Sequence, residues 1–372
     1  MHQPSPRSRL LGAIVATGSL VLAAGCTKAA SAPPKVATSS AAASSTAGAG
    51  SSAVGSAVSS APGSASAAGT SAPATGLDPL TGLPASSKAA ATRPALGVKI
   101  DNVDGAWPQA GLNQADIVFD LPVEGGLTRL LAIFHSQDVG LFGPIRSARP
   151  VDADLLHLLG HAYFAFSGGS TSDLAPIADH SNATPMWWDV TPSLFVTRTD
   201  HAVPHQVFSS TDRLYAGGEQ RTPSTTPPPA IFSYAAATPT GGKPVTSITA
   251  QYDAATAHWK WTGSQYVRDQ SGHPDMLLDA AQVSAANVVV MSVPLQSTRA
   301  RDSHGTVVPL PVVIGSGNVW VFRNGVSIEG TWSRPNENAP MKLVTSTGQV
   351  IALTPGRTWV EVLPNSRLPQ LG

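Results

Sequence analysis

Apolar and polar positions divide the chain into three stretches of different texture. Residues 10–24 form a nearly unbroken apolar run, too short to cross a bilayer comfortably. Residues 27–75 are Ala, Ser, Gly, Thr and Pro almost throughout, without an aromatic residue. From residue 77 onward, short apolar segments alternate with turn residues. Strands are predicted over 93–102, 115–121 and 127–135, the last two joined as a hairpin by the turn Pro122-Val123-Glu124-Gly125-Gly126. Helical spacing over 151–159, with Asp152 and Asp154 in the first turn, predicts a helix. A buried strand over 162–166 then runs into the turn Gly168-Gly169-Ser170.

A break rich in Gly and Pro spans 217–229. Beyond it the pattern is mostly β, with strands over 247–252, 257–261, 266–269, 287–293, 317–323, 325–332, 341–345 and 350–353. A last strand over 360–363 would close this meander. The expected fold class is α+β, a mixed α/β N-terminal part with a β-rich C-terminal part. The expected boundaries are a leader over 1–25, a lipidated Cys26 with linker to residue 76, an N-terminal domain over 77–218, a Pro-rich connection over 219–239 and a C-terminal domain over 240–372.

The early apolar run carries Arg7 and Arg9 before it and ends in Leu22-Ala23-Ala24-Gly25-Cys26, the form of a bacterial lipoprotein signal. An ordinary secretory leader is the alternative. Two features favour lipid: Cys26 is the one cysteine of the 372 residues, and a low-complexity tether follows it directly. Such a tether buries too little apolar surface to fold, and about 50 residues would span near 40 Å. The expected address is the extracytoplasmic face of the cell membrane, with the lipid anchor as membrane partner, each buried CH₂ adding about 0.8 kcal/mol. The 23 basic and 23 acidic residues balance, which argues against a nucleic-acid partner.

Candidate chemistry concentrates between residues 101 and 152. Arg146 and Arg149 lie three apart in the loop Gly143-Pro144-Ile145-Arg146-Ser147-Ala148-Arg149-Pro150, and Arg129 sits in a neighbouring strand. Guanidinium forks match carboxylate and phosphate oxygens, so these three could hold an anion with Ser147 and Asn102 as hydrogen-bond donors. Equally, the arginines could fasten the loop to Asp101, Glu124 or Asp152. Glu124 and Asp101 are the candidate acid/base carboxylates, with His205 as partner. His201 and His205 lack metal spacing because Pro204 interrupts any helix through them, so no metal and no cofactor is expected. Gly168 to Asp173 lacks the lysine of a phosphate loop, so a turn capped by Ser170 or Thr171 is expected. No GxSxG or SxxK nucleophile occurs.

Taken together, LTGLP (80–84), VEGGLTR (123–129), GPIRSAR (143–149), Pro204-His205, Gly272-His273-Pro274 and Gly330-Thr331-Trp332 resemble the YerB-like lipoproteins, a family with N- and C-terminal parts and no assigned chemistry. Gln206 and Asp275 depart from the pattern. The resemblance implies an envelope lipoprotein and places Glu124, Arg129, Arg146, Ser147, Arg149 and His205 in the family's pattern. The leading expectation is a tethered head binding an anionic envelope ligand: a glycan, a phosphate polymer or a peptide carboxylate. A metal-independent cell-wall hydrolase or transferase, and a scaffold for envelope proteins, are the rivals.

Overall fold

The computed structural model describes residues 76–302 and 305–372. The expected leader, Cys26 and the linker up to residue 75 lie outside them. Among the described residues no helix is long and apolar enough to cross a membrane.

The N-terminal half supplies β1 (Ala95–Asp101), β2 (Ile117–Pro122), β3 (Thr128–Phe134), β4 (Ala162–Phe166) and β5 (Ala183–Trp187). It also supplies α1 (Pro150–Leu156), α2 (Thr171–His180) and α3 (Thr211–Arg221). From the C-terminal half come β6 (Ser247–Gln251), β7 (Thr256–Trp261), β8 (Tyr266–Gln270) and β9 (Asn287–Val293). They are followed by β10 (Leu295–Arg301), β11 (Val307–Pro311), β12 (Gly315–Arg323), β13 (Val326–Arg334), β14 (Lys342–Val344) and β15 (Thr358–Pro364).

One large sheet takes strands from both halves in the order β14-β13-β12-β9-β15-β2-β3-β1-β4-β5. Period-two alternation gives it two apolar faces. Leu96, Val98 and Ile100 of β1 belong to one buried cluster that also holds Leu214 of α3 and Trp259 and Tyr266 of the small β6–β8 sheet. Ile133 of β3 and Phe164 of β4 pack on the opposite face with Leu155 and Leu156 of α1. Parallel strands require cover on both sides, and β1, β4 and β5 run parallel here.

The expected closing strand of the meander is placed differently. β15 leaves it and inserts between β9 and β2, parallel to both. Its residues Thr358 to Leu363 are all buried, and a strand buried on both faces needs neighbours on both edges and cover above and below. The expected strand over 350–353 is reduced to isolated bridges, Val344 with Val350 and Tyr234 with Leu353. The Gly217-Gly218 pair, read as a break, lies inside α3 instead. A Cβ at Gly218 would come within 2.5 Å of the Tyr163 ring, so the close approach requires glycine. Four further elements are not predicted by the sequence pattern: α2 with Pro176 in its interior, the short strand β5, and the ribbon strands β10 and β11.

A buried charge cluster joins the two sheets. Asp120 of β2 and Glu361 of β15 are register neighbours, and Arg268 of β8 reaches across to them. Arg268 lies 2.6 Å from Asp120 and 2.5 Å from Asp275, with its guanidinium over the Trp359 ring. Tyr252 and Trp259 donate to the two Glu361 oxygens at 2.9 and 2.8 Å. Three carboxylates against one arginine leave an excess of negative charge. Burial first, and then the Asp120 charge, push the Glu361 carboxyl up to about 8 against the pull of Arg268. A carboxyl raised on folding favours the native state below its unfolded value near 4.5 and loses that contribution as pH climbs through 8. Wild-type unfolding free energy is therefore expected to fall between pH 4.5 and 8 more steeply than that of Glu361→Gln. Urea titrations at a series of pH values check this, and equal slopes would refute it.

Candidate functional site

The carboxyl ends of β1 and β4 open on the same side as the loop before α1. Ligands of open α/β sheets gather in such a position. Backbone pairing fixes the 143–149 loop there. The Arg146 N–H donates to the Lys99 carbonyl at 2.8 Å, and the Ser167 N–H donates to the Arg146 carbonyl at 3.0 Å. Pro150 opens α1, and the Asp152 carboxylate accepts the Arg149 backbone N–H at 2.7 Å, satisfying a free amide of the first turn. Ser170, expected to cap a turn, is the N-cap of α2, its hydroxyl accepting the Asp173 N–H.

Asp101, at the end of β1, stands opposite Arg129 in the β1–β3 register. Its Oδ2 accepts a hydrogen bond from His205 Nδ1 at 2.9 Å and lies 2.9 Å from Arg146 Nε. Burial opposes the Asp101 charge, but the His205 hydrogen bond and the charges of Arg129 and Arg146 outweigh it and hold the carboxyl below its ordinary value. His205 Nε2 has no partner among the described residues. Gly105 lies against the ring, and a Cβ there would come within 2.8 Å of Nε2.

Behind this pair runs a chain of buried charges. Arg129 donates to the Ser147 carbonyl at 3.1 Å and to Glu124 at 3.3 Å. Arg149 grips both Glu124 oxygens, the Nε contact being 2.8 Å, and stands 3.6 Å from Asp173. Lys99 meets Asp152 at 2.7 Å, both side chains fully buried. Burial first, then the Arg149 charge, lower the Arg129 guanidinium to about 10. Arg149 is raised: burial lowers it, but Glu124, Asp173 and Asp152 overcome that. Four cations, Lys99, Arg129, Arg146 and Arg149, thus face four carboxylates, Asp101, Glu124, Asp152 and Asp173.

The structure brings the sequence-read residues together but does not leave them equally open. Asn102 is buried, donating to Thr128 at 2.8 Å and accepting from Gln109 at 3.2 Å, so its amide is spent on holding the β1 end. Arg129 and Arg149 are occupied by Glu124 and by backbone carbonyls. Glu124 is doubly clamped. Burial raises its carboxyl, yet the Arg149 hydrogen bond and both arginine charges bring it down to about 2. It is therefore ionised and a poor proton donor near neutrality. His201 hydrogen-bonds Asp200 and the Pro108 carbonyl. No cluster of metal-ligating side chains occurs among the described residues. Arg146, with 27% of its side chain exposed, keeps its terminal nitrogens without partners among the described residues, and the Ser147 hydroxyl is likewise unpartnered there.

Residues 80–224 match the model described as Protein of unknown function (DUF3048) N-terminal domain, and 246–360 match its C-terminal domain. The chain belongs to the YerB-like family. The Bacillus subtilis (strain 168) protein named "Putative lipoprotein YerB" is 28% identical over 306 residues, 77% of this chain and 86% of that protein. The crystal structure of YerB protein from Bacillus subtilis superposes with a TM-score of 0.68 at 22% identity, covering 80% of this chain and 99% of that one. That likeness establishes the YerB-like α+β fold. Every residue of the charge network lies within the 80–224 match.

Sequence pattern alone assigns no role to Lys99, Asp173, Thr128 or Gln109. Lys99 reads as one polar position in an apolar strand, and only the placement of α1 over β1 supplies its partner. Removing one member of a fully buried pair leaves the other charged and unpaired. Lys99→Met is expected to cost about 3–5 kcal/mol, and joint replacement of Lys99 and Asp152 by apolar residues to recover much of it. Chemical denaturation of the three variants measures this. Glu124 has the opposite sign to Glu361. Its lowered carboxyl contributes stability present above the unfolded value near 4.5 and lost as pH falls towards 2. Glu124→Gln should flatten the acid limb of the stability profile, and an unchanged acid limb would show that the clamp contributes nothing.

Proposed function

We propose that the chain is a lipid-anchored protein of the extracytoplasmic membrane face whose head binds an anionic envelope ligand at Arg146. Cys26 and the lipoprotein name of the Bacillus subtilis relative support the anchor. One observation carries the ligand reading: Arg146 is the member of the charge network whose guanidinium is both fixed and open. Its Nε rests against Asp101 while its terminal nitrogens face solvent without acceptors. A phosphate or carboxylate can bridge both nitrogens, with the Ser147 hydroxyl and His205 in the same loop region. Arg129, Arg149 and Asn102 hold the loop in place rather than contacting the ligand.

The Asp101–His205 pair favours a second reading. A carboxylate that accepts from Nδ1 fixes the imidazole tautomer and directs Nε2 outward as a base. The hydrolase or transferase alternative then rests on His205 and Asp101, without Glu124.

The full chain, purified in detergent, is titrated with glycerol phosphate oligomers and with wall peptides bearing free carboxylates. Arg146→Ala is expected to lose about tenfold to a hundredfold in affinity, as for a charged hydrogen-bonded contact, and wild-type binding to weaken with salt. Undiminished binding by Arg146→Ala would overturn the reading. Substrate turnover abolished in His205→Ala, with binding retained, would establish the acid–base alternative.

A further inference from the structure

A cleft of about 360 Å³ borders the charge network at Glu124, and neither Arg146, Ser147 nor His205 lines it. One wall is the turn Pro122 to Gly126, locked against the β6–β7 loop. The Ala254 N–H donates to the Gly126 carbonyl at 2.8 Å, and a Cβ at Gly126, whose φ is +74°, would come within 2.6 Å of Asp253 Cβ. A second wall comes from the β10–β11 ribbon, from Leu295 to Ser297 and at Val307 and Pro309.

We propose that this cleft binds a short neutral glycan segment, one or two sugar rings long, independently of the Arg146 site. The charge arrangement selects the ligand class. Among the described residues only carboxylates, Glu124 and Asp253, bring charge to the lining, and no cationic side chain does. Each already has its counter-ion outside the lining: Arg149 and Arg129 for Glu124, and Arg367 at 2.5 Å for Asp253. A cation finds both carboxylates already paired, Asp253 at an exposed surface contact, and an anion finds no donor cation in the lining. Compensated carboxylates still accept hydrogen bonds, which suits hydroxyl groups.

The rest of the lining agrees. Gln296 and Ser297 have no side-chain partners among the described residues, so one carboxamide and one hydroxyl can meet sugar hydroxyls or an acetamido group. Leu295 and Val307 are exposed apolar residues of the ribbon, and with Pro309 they offer a surface for the C–H face of a ring. An apolar wall with a few fixed polar groups is the usual build of a small-molecule site, and the volume falls at the small end of the range of about 300–1,000 Å³.

The test is isothermal titration of the full chain in detergent with the N-acetylglucosamine dimer, the cationic glucosamine dimer and the anionic galacturonate dimer. The neutral dimer is expected to bind saturably and each charged dimer at least tenfold more weakly. Ser297→Trp, which fills the cleft from an exposed position, should weaken neutral-dimer binding at least tenfold while leaving the unfolding midpoint unchanged. Gln296→Ala should weaken it several-fold, and Arg146→Ala should leave it unaltered. The proposal is overturned by absence of saturable neutral-dimer binding, by equal binding of a charged dimer, or by full affinity in Ser297→Trp. Since Arg146→Ala reads the anion site and Ser297→Trp reads the cleft, either site can fail without the other.

Discussion

The parallel insertion of β15 between β2 and β9 is the constraint on which the rest of the architecture depends. Without it the N-terminal and C-terminal strands would form two sheets, each with a long apolar edge exposed to pairing. With it, one sheet runs through both halves. The same strand brings Glu361 beside Asp120 and within 3.8 Å of Arg268, completing the carboxylates around that guanidinium. The small sheet is thereby fastened to the large one by a charged cluster rather than by apolar packing alone.

Burial of charge is the second theme, and it governs the candidate site. Inside a sheet flanked on both sides, Lys99, Arg129 and Arg149 persist only because Asp152, Glu124 and Asp173 neutralise them at close range. An arginine committed in this way is a fastener. Arg146 differs because Asp101 engages only its Nε, so the remainder of the guanidinium can meet a ligand without unpairing a buried carboxylate. The same logic assigns Glu124 to the cleft as a hydrogen-bond acceptor rather than as an acid. Two arginines keep it ionised far below neutral pH.

Much of the fold was legible because apolar periodicity marks strands that bury one or both faces, as in β1, β3, β4 and β9. α2 escaped because Pro176 argues against a helix interior, and α3 because Gly217 and Gly218 read as a break. Both helices exist through tertiary contact, α3 by pressing glycine surfaces on Tyr163 and Leu194. In the site, the arginines and Glu124 stood out as charged residues around a Gly/Pro-bounded loop. Lys99 did not, since a single polar residue in an apolar strand reveals nothing about a partner 53 positions away.

The amino-acid pattern by itself determined the run of strands, the loop carrying Arg146 to Arg149, the lipoprotein-like leader and the family resemblance. These are local properties, written in periodicity, turn residues and short strings. Only the tertiary structure decided which arginines are spent on carboxylates and which remains open, that Asp101 holds His205, and that Glu124 borders a cleft with the distant β10–β11 ribbon. Those outcomes depend on charge pairing across residues far apart in sequence. Pairing energy in a low-dielectric interior follows distance in space, which one-dimensional order does not encode.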